Sequence, residues 1–383
     1  MYPRLLKISP DSPKSFFLFS PRGTGKTSWV RSNFSNSLYL DLLDSEIYTT
    51  LQNNPKHLEE LIPPQFKGWV ILDEVQKLPS LLNEIHRLIE GYRFKFILTG
   101  SSARSLRRRG VNLLAGRALH YSMYPLTAIE LGEDFDLNRA IHYGQLPSIP
   151  SEPDPALYLK TYVKTYLREE VLQEGLTRNL GIFSRFLETA SFSQGSLLNT
   201  SAIAREIGKD PKTVRNFFDL LEDLLLGHRL TIFTKRAKRK LVTHPKFYFF
   251  DVGVYRSLRP VGPLDVPEEI NGIAMESFFL QELKAINDYF QLDYNLYFWR
   301  TQEGIEVDFI AYGEKGLIAF EVKSKDYIDK KDLKNLKLFE KEYPNAKLYL
   351  IYSGKLKKYV DNIEIIPISE AVKSLPRLLN YEE

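Results

Sequence analysis

The segment Ser20-Pro21-Arg22-Gly23-Thr24-Gly25-Lys26-Thr27 directly follows the apolar run Phe16-Phe17-Leu18-Phe19 and opens a stretch of helical patterning. A strand, a glycine-rich turn and a helix in that order form a phosphate-cradling loop, and such a loop belongs to a parallel α/β sheet. Gly23 and Gly25 lack a Cβ, so the backbone can curl with its N–H groups pointing inward at the start of a helix, where anions are favoured. Lys26 is placed for the β- and γ-phosphates and Thr27 for Mg²⁺. The expected nucleotide contacts are Pro21, Arg22, Gly23, Thr24, Gly25, Lys26, Thr27 and Ser28, with ATP or GTP as ligand and ATP and Mg²⁺ the expected cofactors. Ser20 departs from the G-x-x-x-x-G-K-[ST] pattern, standing where its first glycine belongs.

Trp69-Val70-Ile71-Leu72-Asp73-Glu74 reads as a buried strand ending in two carboxylates at the edge where open parallel sheets bind ligands. Asp73 is the expected Mg²⁺ partner of Thr27, and Glu74 the residue that polarises the water attacking the γ-phosphate. A further strand, Phe94 to Ser102, ends in hydroxyls, so Thr99, Ser101 and Ser102 are candidate γ-phosphate sensors. Arg117, just before the apolar stretch Ala118 to Met123, is a candidate arginine finger or else a solvated surface residue. Acting in trans, it would require a homo-oligomer.

The strand and helix patterns alternate from Phe16 to Met123, and four prolines between Pro147 and Pro155 mark a linker or lid boundary. With 383 residues, two to three domains are expected, here 1–150, 151–262 and 263–383. The absence of cysteine excludes disulfides and thiolate metal sites and suits a cytoplasmic location. No apolar run approaches the roughly 20 residues of a membrane span, and the N-terminus is too short and polar for a signal peptide. A net charge of +4 is too small for a dedicated nucleic-acid coat, so basic function must be local. The runs Arg104–Gly110 and Lys235–Lys240 are the candidate places.

Asn199 to Leu226 reads as two helices across a tight turn. Thr200 and Ser201 are candidate caps of the first helix, Gly208 stops it, and Asp210 with Pro211 starts the second. This is helix-turn-helix spacing, in which Lys212, Thr213, Arg215 and Asn216 would face a DNA groove, with a wing formed by Arg229–Phe233 and Lys246–Phe250. A brace between domains is the competing reading.

The last third carries a second acidic set: Glu276 on a helix from Ile273 to Tyr289, Asp308 in a strand, and Glu321-Val322-Lys323 ending the next. Adjacent strands can bring Asp308 and Glu321 to one Mg²⁺, and alternation puts Glu321 and Lys323 on one face. Lys323 would then activate water while Glu276 completes the metal shell or steadies the lysine; Glu306 shares the face of Asp308.

In combination, Pro21–Thr27, Leu72-Asp73-Glu74-Val75-Gln76, Leu98–Ser102, Leu114-Ala115-Gly116-Arg117, Phe250-Asp251-Val252-Gly253 and Asp308…Glu321-Val322-Lys323 resemble a prokaryotic AAA-like ATPase family. The resemblance covers almost the whole chain. It implies a P-loop NTPase sheet, then a helical and winged-helix region, then a C-terminal α/β domain similar to PD-(D/E)xK restriction-endonuclease-like domains. There Asp308 and Glu321 would match metal ligands and Lys323 the catalytic lysine. The expected function is an ATPase coupled to a DNA-facing winged helix and a nuclease-like domain; the alternative is a nucleotide-dependent switch or scaffold whose C-terminal acids are inactive.

Overall fold

The computed structural model describes residues 2–102, 106, 114, 116–167, 180–234 and 244–381. These fall into two compact units: Arg4–Tyr124 with Asp223–Leu226, and Pro125–Glu222 with Gly227–Glu383 and the first three residues. Most of Arg104–Gly110 and all of Lys235–Lys240, the two basic runs, lie outside the described residues.

The first unit holds a five-stranded parallel sheet: β1 (Ser15–Phe19), β2 (Ser37–Asp41), β3 (Trp69–Asp73), β4 (Lys95–Gly100) and β5 (Ala118–Ser122), in the order β2-β3-β4-β1-β5. Every residue of β1 and β3 is buried, the pattern of strands covered on both faces. Alternation divides the core. Phe17, Val70, Leu72, Phe96 and Leu98 pack with Leu81, Ile85 and Leu88 of the helix Leu81–Tyr92. Phe16 instead meets Phe34 and Trp69, and Phe34 in turn meets Trp29 of the helix Lys26–Asn33. That aromatic cluster seats the helix following the loop, so the loop's position is fixed by packing on one face of the sheet. Because β4 lies between β1 and β3, the ends of β1 and β3 stand two strand spacings apart, about 10 Å. A crevice at the strand ends follows.

In the second unit, the proline-rich stretch does more than interrupt. Pro155 is the first residue of the helix Pro155–Tyr162, where a missing N–H costs nothing, and the Asp154 carboxylate caps it through the Leu157 N–H at 3.0 Å. The helix Leu180–Ser191 follows. Helices Thr200–Ile207 and Pro211–Asp223 flank a turn at Gly208, whose φ of 65° favours glycine. The cap of the first is Asn199, not Thr200 or Ser201: its side-chain oxygen accepts from Ala202 N at 3.0 Å, and Thr200 is already helical. Asp210 caps the second as expected, accepting from Lys212 N at 2.9 Å and Thr213 N at 3.0 Å.

The remaining strands are β6 (Gly227–Ile232), β7 (Lys246–Phe249), β8 (Asn295–Arg300), β9 (Glu306–Gly313), β10 (Gly316–Lys323), β11 (Lys347–Tyr352), β12 (Lys358–Val360) and β13 (Ile363–Pro367). They form one mixed sheet in the order β12-β13-β11-β10-β9-β8-β6-β7. The expected wing hairpin exists as the antiparallel pair β6–β7. However, it starts at Gly227 rather than Arg229, and β6 also pairs in parallel with β8. The hairpin is therefore the end of the C-terminal sheet. Residues 235–243 between its strands, where the tip of a wing would be, lie outside the described residues.

Candidate functional site

The loop curls as its glycines require: Gly23 has φ 82° and Gly25 φ 92°, both in the region that L side chains rarely adopt. Ser20 is absent from the positive-φ residues, so a Cβ there brings no backbone strain. Its buried hydroxyl instead lies 2.5 Å from that of Thr24, which donates to Pro21 O at 2.9 Å. The missing first glycine is thus replaced by a hydrogen-bonded tie across the turn. Lys26 is almost fully buried and donates to Ser20 O at 3.1 Å. Arg4, unnoticed in the sequence, fastens the loop from outside by donating to Thr24 O at 2.8 Å and Tyr124 O at 2.6 Å.

Asp73 gathers the crevice. Thr27 Oγ1 donates to its Oδ2 at 2.9 Å, Tyr39 also donates to Oδ2, Thr99 donates to Oδ1, and Glu74 N reaches Oδ1 at 3.1 Å. Residues of the P-loop helix, β2, β3 and β4 therefore converge on one carboxylate. Tyr39 was missed because nothing in Ser37–Asp41 announces a function. Its phenol is pushed up by burial and then by the hydrogen bond to Asp73.

Glu74 sits in the left-handed region, φ 59° and ψ 42°, which turns the chain sharply out of β3. Gln76 holds its carboxylate and donates to Ser101 Oγ at 3.0 Å. A Cβ on Gly100 would lie 2.3 Å from Gln76 Oε1, so that glycine makes the approach possible. Of the three candidate sensors, Thr99 and Ser101 face this constellation. Ser102 instead donates to Asp223 O at 2.9 Å.

Arg117 stands elsewhere. It precedes β5 at the edge where the parallel strands begin, opposite the edge that carries the loop, and its Nε meets Glu90 Oε1 at 2.5 Å. Arg117 is thus away from the loop of its own chain. Four to five strand residues, about 15 Å, separate it from the loop.

The second acidic set makes two groups of contacts, with Asp308 acting on both. On β9 and β10, Asp308 Oδ2 accepts from Val322 N at 2.8 Å, and Glu321 Oε1 accepts from Lys323 Nζ at 2.6 Å and Asn335 at 3.1 Å. Glu321 and Lys323 do share a face. Glu321 Oε2 is buried with no hydrogen-bond partner, and burial, then the Asp308 charge, raises this carboxyl to about 8. Burial raises Asp308 as well.

Glu276 faces Lys246 and Tyr248, and the Asp308 charge also acts on it. Lys246 of β7, 4% exposed, meets Glu306 and stands 3.4 Å from Glu276, and Tyr248 donates to Glu276. Arg300 closes the group on Glu306 at 2.8 Å. Among the described residues no three acidic or imidazole side chains come together in a metal-holding arrangement. The Lys246 ammonium supplies a positive charge to Glu276 and Glu306. Burial alone would lower it, but Glu276, Asp308 and Glu306 together raise it. The lysine is hard to find from sequence because it lies 30 residues from Glu276 and 60 from Glu306, in a strand read as part of a wing.

On the candidate nucleic-acid face, Lys212, Arg215 and Asn216 are exposed, whereas the Thr213 hydroxyl donates to Asp210 at 2.6 Å and is committed to the cap. No helix among the described residues is long and apolar enough to cross a membrane.

Residues 12–132 match the family model described as an AAA domain. Residues 134–265 and 271–371 match two models, each described as a domain of unknown function (DUF8612 and DUF4143). Uncharacterized proteins of Mycobacterium tuberculosis and Haemophilus influenzae are similar to this chain. The first is 26% identical over 318 residues, 80% of this chain and 69% of that protein; the second is 22% identical over 257, 61% and 62%. Among solved structures, the Aeropyrum pernix Orc1 protein in complex with DNA has a TM-score of 0.27 at 13% identity, covering 65% of this chain and 87% of that one. A Vibrio cholerae protein scores 0.25 at 12%, covering 91% and 98%. At these scores neither structure bears on the fold. The AAA match and the parallel sheet with its loop together define the N-terminal segment as an AAA-like P-loop domain.

Proposed function

We propose that this chain binds and hydrolyses ATP at the crevice between the loop and β3. The observation that carries the reading is the convergence of Thr27, Tyr39 and Thr99 on Asp73, with Glu74 next to it. Thr27 and Asp73 offer oxygen donors only, which suits Mg²⁺. When bound, that ion would offset the phosphate charge. The loop N–H groups and Lys26 would hold the phosphates in place of the present bond from Lys26 to Ser20 O. Glu74, steadied by Gln76, would orient and deprotonate the attacking water, while Thr99 and Ser101 report the γ-phosphate through Asp73 and Gln76. Phosphate release from ATP by the purified chain, against Lys26→Ala, tests this. Hydrolysis unaffected by that substitution would remove the proposal.

The further parts of the reading are a DNA-facing surface at Lys212, Arg215 and Asn216 and a metal-dependent nuclease-like site at Asp308, Glu321 and Lys323. Two carboxylates with one unpartnered buried oxygen fit a single Mg²⁺ or Mn²⁺, which would polarise a phosphodiester there. Lys323 would orient the water. The alternative, a nucleotide-dependent switch with an inactive C-terminal site, draws on Lys246, which already neutralises Glu276 and Glu306. Incubating supercoiled and linear DNA with Mg²⁺ or Mn²⁺, with and without ATP, separates the two. Cleavage lost in Asp308→Asn supports the nuclease; intact DNA throughout supports the switch.

A further inference from the structure

Strands β10 and β11 run parallel and end in register at Lys323 and Tyr352, so the loops that follow them leave the sheet side by side. Ser353 N donates to Lys325 O at 3.1 Å. A Cβ on Gly354 would lie 2.6 Å from Asp326 O, so the close approach of the two loops depends on a glycine. Lys358 then places its ammonium 5.6 Å from the ring centre of Tyr327. The two loops make one surface.

Its composition is unlike an ordinary solvated loop. Tyr327, Leu356 and Tyr359 are 71%, 66% and 67% exposed. Lys325 and Lys357 are paired, with Asp332 and Glu364 at 2.6 Å each, but the exposed Lys331, Lys355 and Lys358 make no salt bridge among the described residues. Lysines on the edge strand β12 would by themselves be explained as protection against edge pairing. That explanation accounts for no exposed tyrosine. Even with the exposed Asp326 and Asp329 among them, aromatic faces interleaved with ammonium groups that form no salt bridge match a chain of bases joined by phosphates.

We propose that residues 324–333 and 353–361 bind single-stranded nucleic acid, with Tyr327 and Tyr359 stacking on bases and Lys331, Lys355 and Lys358 meeting phosphates. The partner is single-stranded because a ring can stack only on a base whose face is free. The surface begins immediately after Lys323, so a bound strand would lie beside Glu321 and Lys323. Binding itself requires neither metal nor cleavage, and it holds or fails independently of the ATPase and nuclease readings.

The test is fluorescence anisotropy of a labelled oligothymidylate of about 20 nucleotides, longer than a typical single-domain footprint, with the full chain in EDTA and without ATP. Tyr327→Ala with Tyr359→Ala should weaken binding at least about tenfold. Lys331→Gln, Lys355→Gln and Lys358→Gln together should reduce the slope of log affinity against log salt by roughly 2, from about 0.7 per phosphate contact. Lys56→Gln with Lys67→Gln, two exposed lysines outside every proposed site, should leave both quantities unchanged. All seven side chains are at the surface, and circular dichroism confirms that the variants fold. Absence of binding by the intact chain at low salt, full affinity in the tyrosine variant, or binding to anionic phosphatidylserine vesicles but not to the oligonucleotide would each overturn the proposal.

Discussion

Thr27 and Asp73 stand 46 residues apart in the chain, yet the hydroxyl of one donates to the carboxylate of the other at 2.9 Å. The bond spans the gap left by β4 between β1 and β3, and it ties the helix that starts at the phosphate loop to the acidic strand end. Its consequences can be measured separately from those of the loop's own geometry.

Ser20→Ala should keep the loop's course, because the residue has ordinary backbone geometry, but it removes the hydroxyl tie to Thr24. A loss of about 1 kcal/mol in stability is expected. Nucleotide affinity should fall only severalfold. Thermal melting and calorimetric titration with ATP give the two numbers.

Gln76→Ala removes the side chain that joins Glu74 to Ser101. Hydrolysis should slow by roughly 10- to 100-fold through looser orientation of the base, with the KM for ATP nearly unchanged. A KM effect as large as the kcat effect would assign Gln76 to binding instead.

Lys246→Ala leaves Glu276 and Glu306 short of their shared cation in a buried setting. Removing one partner of a buried charged group typically costs about 3–5 kcal/mol. Chemical denaturation should show a loss of that order, and Lys246→Met, which keeps the stem, should lose no less.

Glu282 is buried, accepts from Ala128 N at 2.9 Å, and is raised by burial from 4.5 to about 8. The folded state therefore holds this proton between about pH 4.5 and 8 while the unfolded chain releases it. The contribution is full below pH 4.5 and is lost as pH rises through 8. Asp251, raised by burial to about 6, adds the same sign over a narrower window beginning near 3.8. Glu282→Gln keeps the acceptor oxygen for Ala128 and should raise Tm more at pH 8 than at pH 5. An equal change at both values would place the proton elsewhere.

What could be read from the sequence was local. The loop, its flanking strand and helix, and the acids closing β3 are contiguous patterns, and each appears where the pattern put it. The same holds for Asp210 as a cap and for Glu321 and Lys323 sharing a face, which follows from two-residue alternation. What was missed required pairing across distance. Tyr39 reaches Asp73 only because β2 lies beside β3, and Lys246 reaches Glu306 only because the β6–β7 hairpin joins the C-terminal sheet. Sequence order does not say which edge of a sheet a residue occupies, so the distance of Arg117 from its own loop could not be read from it. The preference for Asn199 over Thr200 as a cap turned on one residue of helix register, a difference that propensity does not resolve.

The central claim is hydrolysis of ATP with Glu74 as the base. It is tested most directly by measuring ATP affinity and single-turnover hydrolysis on the same preparation of Glu74→Gln. The predicted result is affinity within about threefold of the parent chain and hydrolysis slower by about 10²–10⁴. Hydrolysis at the parent rate, or a loss of binding that accounts for the whole loss of rate, would contradict it.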